Sequence, residues 1–192
     1  ICQVIRVFSD ENVTREGERT AAFVDPASDI EVINTELALA DLQTIEKALP
    51  RLEKEARIQK EKSAVIEAVR QAQKVLNEGK LLSGSTVDLE AIAELQLMTT
   101  KPFLYVFNVD AAELNDPELR KKLQSLVAPS EAIFLDAKTE AELAELPDED
   151  AKELLESIGL KEPGLATLAH VGFATLGLQT YLTSGPKEAR AW

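Results

Sequence analysis

One cysteine, one histidine, one tryptophan and one methionine occur in 192 residues. A single thiol, Cys2, closes no internal disulfide and builds no zinc cage. It is expected to be a small buried apolar side chain. The single histidine, His170, lies in a helical pattern with no second catalytic group near it in sequence. It reads as a helix-surface or core residue rather than a general base. No apolar run approaches the length of a membrane span, and no basic segment leads into an apolar one at the start. A cytoplasmic location is the default expectation. Positive charge is scarce: 21 Lys and Arg face 34 Asp and Glu, for a net charge of −13. That excludes a protein that holds nucleic acid by overall charge, while leaving room for one basic face on an acidic body. Hydrophobic residues make up 45%, enough for one full domain or two small ones.

Residues 1–8 (ICQVIRVF) are apolar and β-branched and read as a buried strand. Residues 9–33 are polar and turn-rich around Gly17 and Asp25-Pro26. They read as a loop, with an edge strand near residues 22–24 and Asn34 as the N-cap of the next helix. Apolar residues then recur at Ala38, Leu42, Ile45, Leu49, Leu52 and Ala56, in steps of 4-3-4-3-4. This is a heptad seam, and a second follows at Val65, Val69, Ala72 and Leu76. Each seam is too narrow to bury itself alone, so the two are expected to fold back as an antiparallel coiled-coil hairpin. The first arm would be about 33 Å long at about 1.5 Å per residue. Pro50 inside it removes one backbone bond and is expected to kink it. Gly79 ends the second arm, and Asp88 is expected to cap a short helix reaching about residue 98.

Arg51, Lys54, Arg57, Lys60 and Lys62 gather where the arms turn. They are the cations a partner would meet. Glu53, Glu55, Glu61 and Glu67 nearly balance them, which equally fits a solvated helix face laced with pairs such as Glu53–Arg57.

Beyond Lys101-Pro102 the pattern changes. Residues 103–109 (FLYVFNV) read as a second buried strand, Asp116-Pro117 opens a helix to Val127, and residues 132–135 (AIFL) read as a third strand. Strand, helix and strand at this spacing form a βαβ unit with parallel pairing and a right-handed crossover. Further helices start at Pro147-Asp148 and near Gly164, and the remainder is extended. The fold class is therefore α/β, a parallel sheet interrupted by a helical hairpin, with residues 1–8 and 103–109 in one layer. Because the chain opens inside one strand and closes abruptly, an internal fragment is expected. Ligands of open parallel sheets bind beyond the carboxyl ends of the strands. Two polar clusters fall there, Asn108-Val109-Asp110-Ala111 and Asp136-Ala137-Lys138. A side-chain amide and a backbone N–H brought together at that rim can read a purine edge, though polar residues also cap most strands.

Lys101-Pro102, the apolar strand and Asn108 resemble the base-recognition motif of P-loop GTPases, whose guanine-specific form is Asn-Lys-x-Asp. Asp136-Ala137-Lys138 resembles the Ser-Ala-Lys motif one strand later. Residues 4–13 (VIRVFSDENV), 25–42 (DPASDIEVINTELALADL), 140–146 (EAELAEL) and 178–192 (LQTYLTSGPKEARAW) are similar to the YchF, or Obg-like ATPase, family. The similarity runs from end to end of the chain. It implies an incomplete nucleotide-binding domain at residues 1–33 and 100–176. It also implies an inserted coiled coil at residues 34–99 and the start of a TGS domain at residues 177–192. It implies a monomeric, cytoplasmic, ribosome-associated P-loop hydrolase that uses ATP in preference to GTP, with Mg2+. The implied base contacts are Asn108, Val109, Asp110, Asp136, Ala137 and Lys138.

Ala111 stands where the guanine-specific motif has Asp, a place the family usually fills with Glu. Val109 stands where a Lys stem would cover the base. Guanine's N1–H and 2-amino group would thus lose that acceptor, unless Asp110 or Glu113 takes its place. No Gly-x-x-x-x-Gly-Lys-[Ser/Thr] loop occurs in these residues. The resemblance places the phosphate loop, the magnesium ligand and the catalytic residue before Ile1, so this chain alone is expected to hydrolyse nothing. The alternative is a non-catalytic module that docks ribosomal RNA or protein through the coiled coil.

Overall fold

The computed structural model describes residues 1–8, 24–59, 62–186 and 188–191. These form two compact units. Residues 1–5 and 24–103 belong to the first, and residues 6–8 and 104–191 to the second.

In the first unit, strand β1 (Cys2–Arg6) alternates outward and inward, with Gln3 and Ile5 buried and Cys2 and Val4 exposed. Cys2 is therefore not the buried side chain expected from the apolar run, because one face of β1 is open. Helix α1 (Pro26–Ile58) begins two turns before Asn34. The Asp25 carboxylate accepts from Ser28 N at 3.2 Å, and Pro26 fills the first turn with its φ already set. Asn34 is an interior helix residue whose Oδ1 accepts from Gln3 Nε2 at 2.9 Å. The edge strand expected near residues 22–24 falls largely outside the described residues, and Val24 is in no strand. The helix continues through Pro50, which sits on the solvent-exposed side. Packing of the opposite face holds the helix together across the missing donor.

Helix α2 (Ser63–Asn77) packs against α1. Ala38, Ile45 and Leu52 from α1 meet Val69, Ala72 and Leu76 from α2 in one core, which is the face the heptad spacing marks. Glu53 reaches Arg70 and Glu55 reaches Lys62, so the arms run in opposite directions. Gly79, at φ +72°, stops α2. Its N–H reaches Leu76 O at 3.0 Å and Lys80 N reaches Val75 O at 3.2 Å, the paired bonds of a left-handed helix end.

The next segment is not the helix expected from Asp88. Asp88 does accept from Ala91 N at 3.1 Å, but only a single 3-10 turn, Ala93–Leu95, follows. Leu82, Val87, Ile92 and Leu97 enter the core of the arms at spacings that no helix face supplies. A carboxylate fastens this segment. Asp41 of α1, 2% exposed, accepts from Met98 N at 2.8 Å and from Thr99 N and Oγ1 at 2.7 Å each.

In the second unit, β2 (Leu104–Asn108) pairs in parallel with β3 (Glu131–Leu135), from Leu104 opposite Glu131 to Asn108 opposite Leu135. The crossover is α3 (Pro117–Val127), capped by Asp116, which accepts from Glu118 N at 2.9 Å and Leu119 N at 3.2 Å. Arg120 lies 4.6 Å above the Phe134 ring, and Phe134 stacks on buried Phe107 at 5.4 Å.

Three helices follow, α4 (Ala137–Glu145), α5 (Asp148–Ser157) and α6 (Gly164–Thr175). Leu168 and Val171 of α6 pack on Leu104, Val106, Ile133 and Leu135 of the sheet. Helix α4 is additional to the elements expected from the apolar pattern. A short antiparallel hairpin, β4 (Leu182–Ser184) with β5 (Ala189–Ala191), closes the described chain.

Replacing Asp41 with Ala leaves three donors without their acceptor in a buried place. It is expected to cost about 2–4 kcal/mol in chemical denaturation. A cost under about 0.5 kcal/mol would show that the clasp is not what holds the segment. Gly79→Ala should cost about 1 kcal/mol, because a Cβ strains the left-handed conformation.

Candidate functional site

Three strand ends meet at Asn108. Its main-chain oxygen accepts from Val7 N at 2.8 Å and Phe8 N at 3.2 Å, and its partner across β3 is Leu135. Val109 N donates to Leu135 O at 2.9 Å, which carries the parallel ladder one step past β2. The Asn108 side chain then crosses to the next strand end: Oδ1 accepts from Ala137 N at 3.0 Å. The two polar clusters therefore converge on one rim, at the carboxyl ends of a parallel pair.

The local sequence explains how Ala137 N becomes free to point there. Asp136 leaves β3 in extended conformation and caps α4 with both oxygens. Oδ1 accepts from Lys138 N at 3.2 Å, while Oδ2 accepts from Thr139 N at 3.2 Å and Thr139 Oγ1 at 2.6 Å. Ala137 is the first helical residue, so its N–H has no partner inside the helix, and Asn108 supplies one.

The six implied contacts are not equivalent. Asn108 and Ala137 are directly bonded. The Asp136 carboxylate is spent on its own helix, where it shapes the turn. Val109 is 1% exposed, so its side chain lies in the core and only its backbone reaches the rim. Asp110 and Lys138 are exposed. Asp110 precedes a 3-10 turn, Ala111–Glu113, which closes through Glu113 N to Asp110 O at 2.8 Å. Ala111 at its head offers no side-chain acceptor.

Glu140 was not among the residues singled out from sequence. It is 8% exposed, and its carboxylate accepts from Gly164 N at 2.6 Å and Leu165 N at 3.1 Å. An exposed glutamate and a buried one look alike in sequence. The Pro163-Gly164 start of α6, which has no side-chain cap of its own, was the available signal.

His170 is largely exposed on α6, 3.6 Å from Glu162. It borders a cavity of about 390 Å³ with Glu131, Val171, Ala174 and Thr175, at the end of β3 opposite the rim.

Of the five hairpin cations, Arg51 lies 3.8 Å from Glu55, and Lys62 is hydrogen-bonded to the same carboxylate. The Lys62 hydrogen bond holds the Glu55 carboxyl below its usual range. Desolvation opposes it, and the charges of Lys62 and Arg51 assist it to a lesser degree. Glu53 does not pair with Arg57 as expected. Arg70 of α2 takes it across the hairpin, at 3.3 Å. Lys54 and Arg57 are exposed and have no ion-pair partner among the described residues. Lys60 lies outside the described residues.

No protein-family model matches the chain. Its whole length aligns with the ribosome-binding ATPase YchF of Bacillus subtilis (strain 168), at 39% identity over 202 aligned positions and 54% of that protein. The ribosome-binding ATPase YchF of Haemophilus influenzae is 35% identical over 198 positions, again across the whole chain and 53% of the relative. Among solved structures, the YchF GTPase of Schizosaccharomyces pombe superposes with a TM-score of 0.77 at 28% identity. That match covers all of this chain and 53% of the other. The chain thus spans about half the length of the relatives it matches. In sequence and in fold, the chain resembles YchF proteins over its whole length.

Proposed function

We propose that the protein carrying this chain binds and hydrolyses ATP, with GTP the lesser substrate, and that it works on the ribosome. These residues supply recognition of the purine base. The observation that carries this reading is the Asn108 Oδ1 to Ala137 N bond across the rim.

That bond orients the Asn108 amide. With Oδ1 fixed by Ala137, the two Nδ2 hydrogens are the donors left to meet a purine N7, an acceptor that adenine and guanine share. Discrimination then comes from the other edge. The Ala137 N–H, which could donate to guanine O6, is already taken by Asn108. Adenine carries an amino donor at the same place and does not need that N–H. Its amino group can instead share Oδ1, which has a second lone pair. Guanine's N1–H and 2-amino group meet Ala111, which accepts nothing. A ligand donor that gives up water without gaining an acceptor costs binding energy.

The relatives' names agree with a nucleotide hydrolase, "ATPase" in the bacterial proteins and "GTPase" in the yeast structure. Among the described residues no cluster of three or more His, Cys, Asp or Glu is placed to hold a metal ion. The proposal assigns the phosphates, Mg2+ and the hydrolytic step to the half of the relatives' length that this chain does not span. Residues 1–33 and 100–176 are assigned to the nucleotide-binding domain and residues 34–99 to an inserted coiled coil. Residues 177–192, with the β4–β5 hairpin, are assigned to the opening of a TGS domain.

The second reading concerns the hairpin. "Ribosome-binding" in the bacterial names supports a docking role, and the ion-pair pattern narrows its residues. Arg51 and Lys62 pair with Glu55, and among the described residues Lys54 and Arg57 remain as exposed hairpin cations to meet RNA phosphate.

In calorimetry on the full-length protein, ATP should bind more tightly than GTP, and Asn108→Ala should weaken ATP about tenfold, or about 1.4 kcal/mol. Ala111→Asp should move the ATP-to-GTP preference toward GTP by a similar factor. Absence of ATP binding, or an Asn108→Ala affinity equal to wild type, would refute the base-reading role. Paired Lys54→Glu and Arg57→Glu changes should reduce salt-sensitive co-sedimentation with ribosomes. Unchanged co-sedimentation would remove the hairpin from the interface.

A further inference from the structure

We infer that Glu140 is a positioning residue for base recognition, acting through Gly164 and the last residue of β3. The inference rests on the base-reading role of Asn108 and Ala137 proposed above.

The chain of contacts is short. Glu140 sits one turn into α4, and its N–H closes that turn on Asp136 O at 3.0 Å. Its side chain crosses to the N-terminus of α6, where Oε1 takes Gly164 N at 2.6 Å and Oε2 takes Leu165 N at 3.1 Å. Pro163, at the cap position, has no oxygen to offer, so the carboxylate from α4 does the work of a cap. Its negative charge also complements the positive end of the α6 dipole. Both ends of this tie are thus favourable, and α4 is held in one register against α6.

Gly164 is where that register reaches the rim. A Cβ there would stand 2.7 Å from Leu135 Cβ and 3.0 Å from Glu140 Oε1, so only glycine lets α6 approach so closely. Leu135 is the residue opposite Asn108 in the sheet, and its carbonyl takes Val109 N at 2.9 Å. Glu140 therefore fixes, on one side, the turn that presents Ala137 N. On the other side it fixes the backbone against which Asn108 is paired. The 3.0 Å bond between those two depends on both being held. Glu140 itself is buried behind the rim and touches no base.

The test uses the full-length protein with two probes, ATP and inorganic tripolyphosphate, which lacks the base. Glu140→Ala should raise the Kd for ATP about tenfold and leave the Kd for tripolyphosphate unchanged. Glu140→Gln keeps one acceptor but turns an amide N–H toward Leu165 N, so it should fall between wild type and Glu140→Ala. The Gln variant carries the test if the Ala variant does not fold. An ATP affinity within twofold of wild type for both variants, while Asn108→Ala weakens ATP, would overturn the role of Glu140 alone. Equal losses for ATP and tripolyphosphate would also overturn it, by showing a general structural defect. If Asn108→Ala has no effect on ATP, the base-reading role fails and the inference falls with it.

Discussion

The second unit is organised around one hydrogen bond, from the first free N–H of α4 to the side chain that closes β2. Parallel strands end side by side, and a helix that follows such a strand begins with donors that nothing within it can satisfy. Here one of those donors is met by an asparagine rather than by water. The bond costs the site a donor and fixes the orientation of an amide. Both consequences bear on which purine edge the proposed site would accept. The preference proposed for adenine thus has two sources: a missing acceptor at Ala111, and a donor already engaged at Ala137.

Around this bond the supports are electrostatic and each is local. Asp136 caps α4 with both oxygens, and Glu140 caps α6 from outside. Asp41 performs a similar service in the first unit, where one carboxylate takes three donors from Met98 and Thr99. In a chain with a formal charge of −13, Asp41 and Glu140 are buried, while the helix caps Asp25, Asp116 and Asp136 are half-buried or exposed. On the hairpin, Glu55 gathers Arg51 and Lys62, while Lys54 and Arg57 stay exposed.

Much of this was legible from residue spacing. The 4-3-4 steps from Ala38 and from Val65 mark the faces that pack together, because a heptad stripe has no other way to be buried. The strands at 104–108 and 131–135 and the helix between them follow from apolar runs and an Asp-Pro start. What escaped depends on long-range partners or on a choice between two local signals. Asp25-Pro26 outcompeted Asn34 as the helix start, since cap and fixed φ act together. The segment after Gly79 obeys the core of the arms rather than its own cap at Asp88. The rim residues Asn108 and Ala137 could be named from sequence, but Glu140 and Asp41 could not. Nothing local distinguishes a carboxylate in water from one that meets donors 24 or 58 positions away.

The central claim is that the Asn108–Ala137 pair reads a purine and favours adenine. It is tested most directly by amide NMR of the full-length protein labelled with nitrogen-15 and titrated with ATP and with GTP. The account predicts that ATP at saturation shifts the Asn108 side-chain amide and the Ala137 backbone amide, with GTP producing the same shifts only at higher concentration. Both resonances staying in place at saturating ATP, while other amides move, would contradict it.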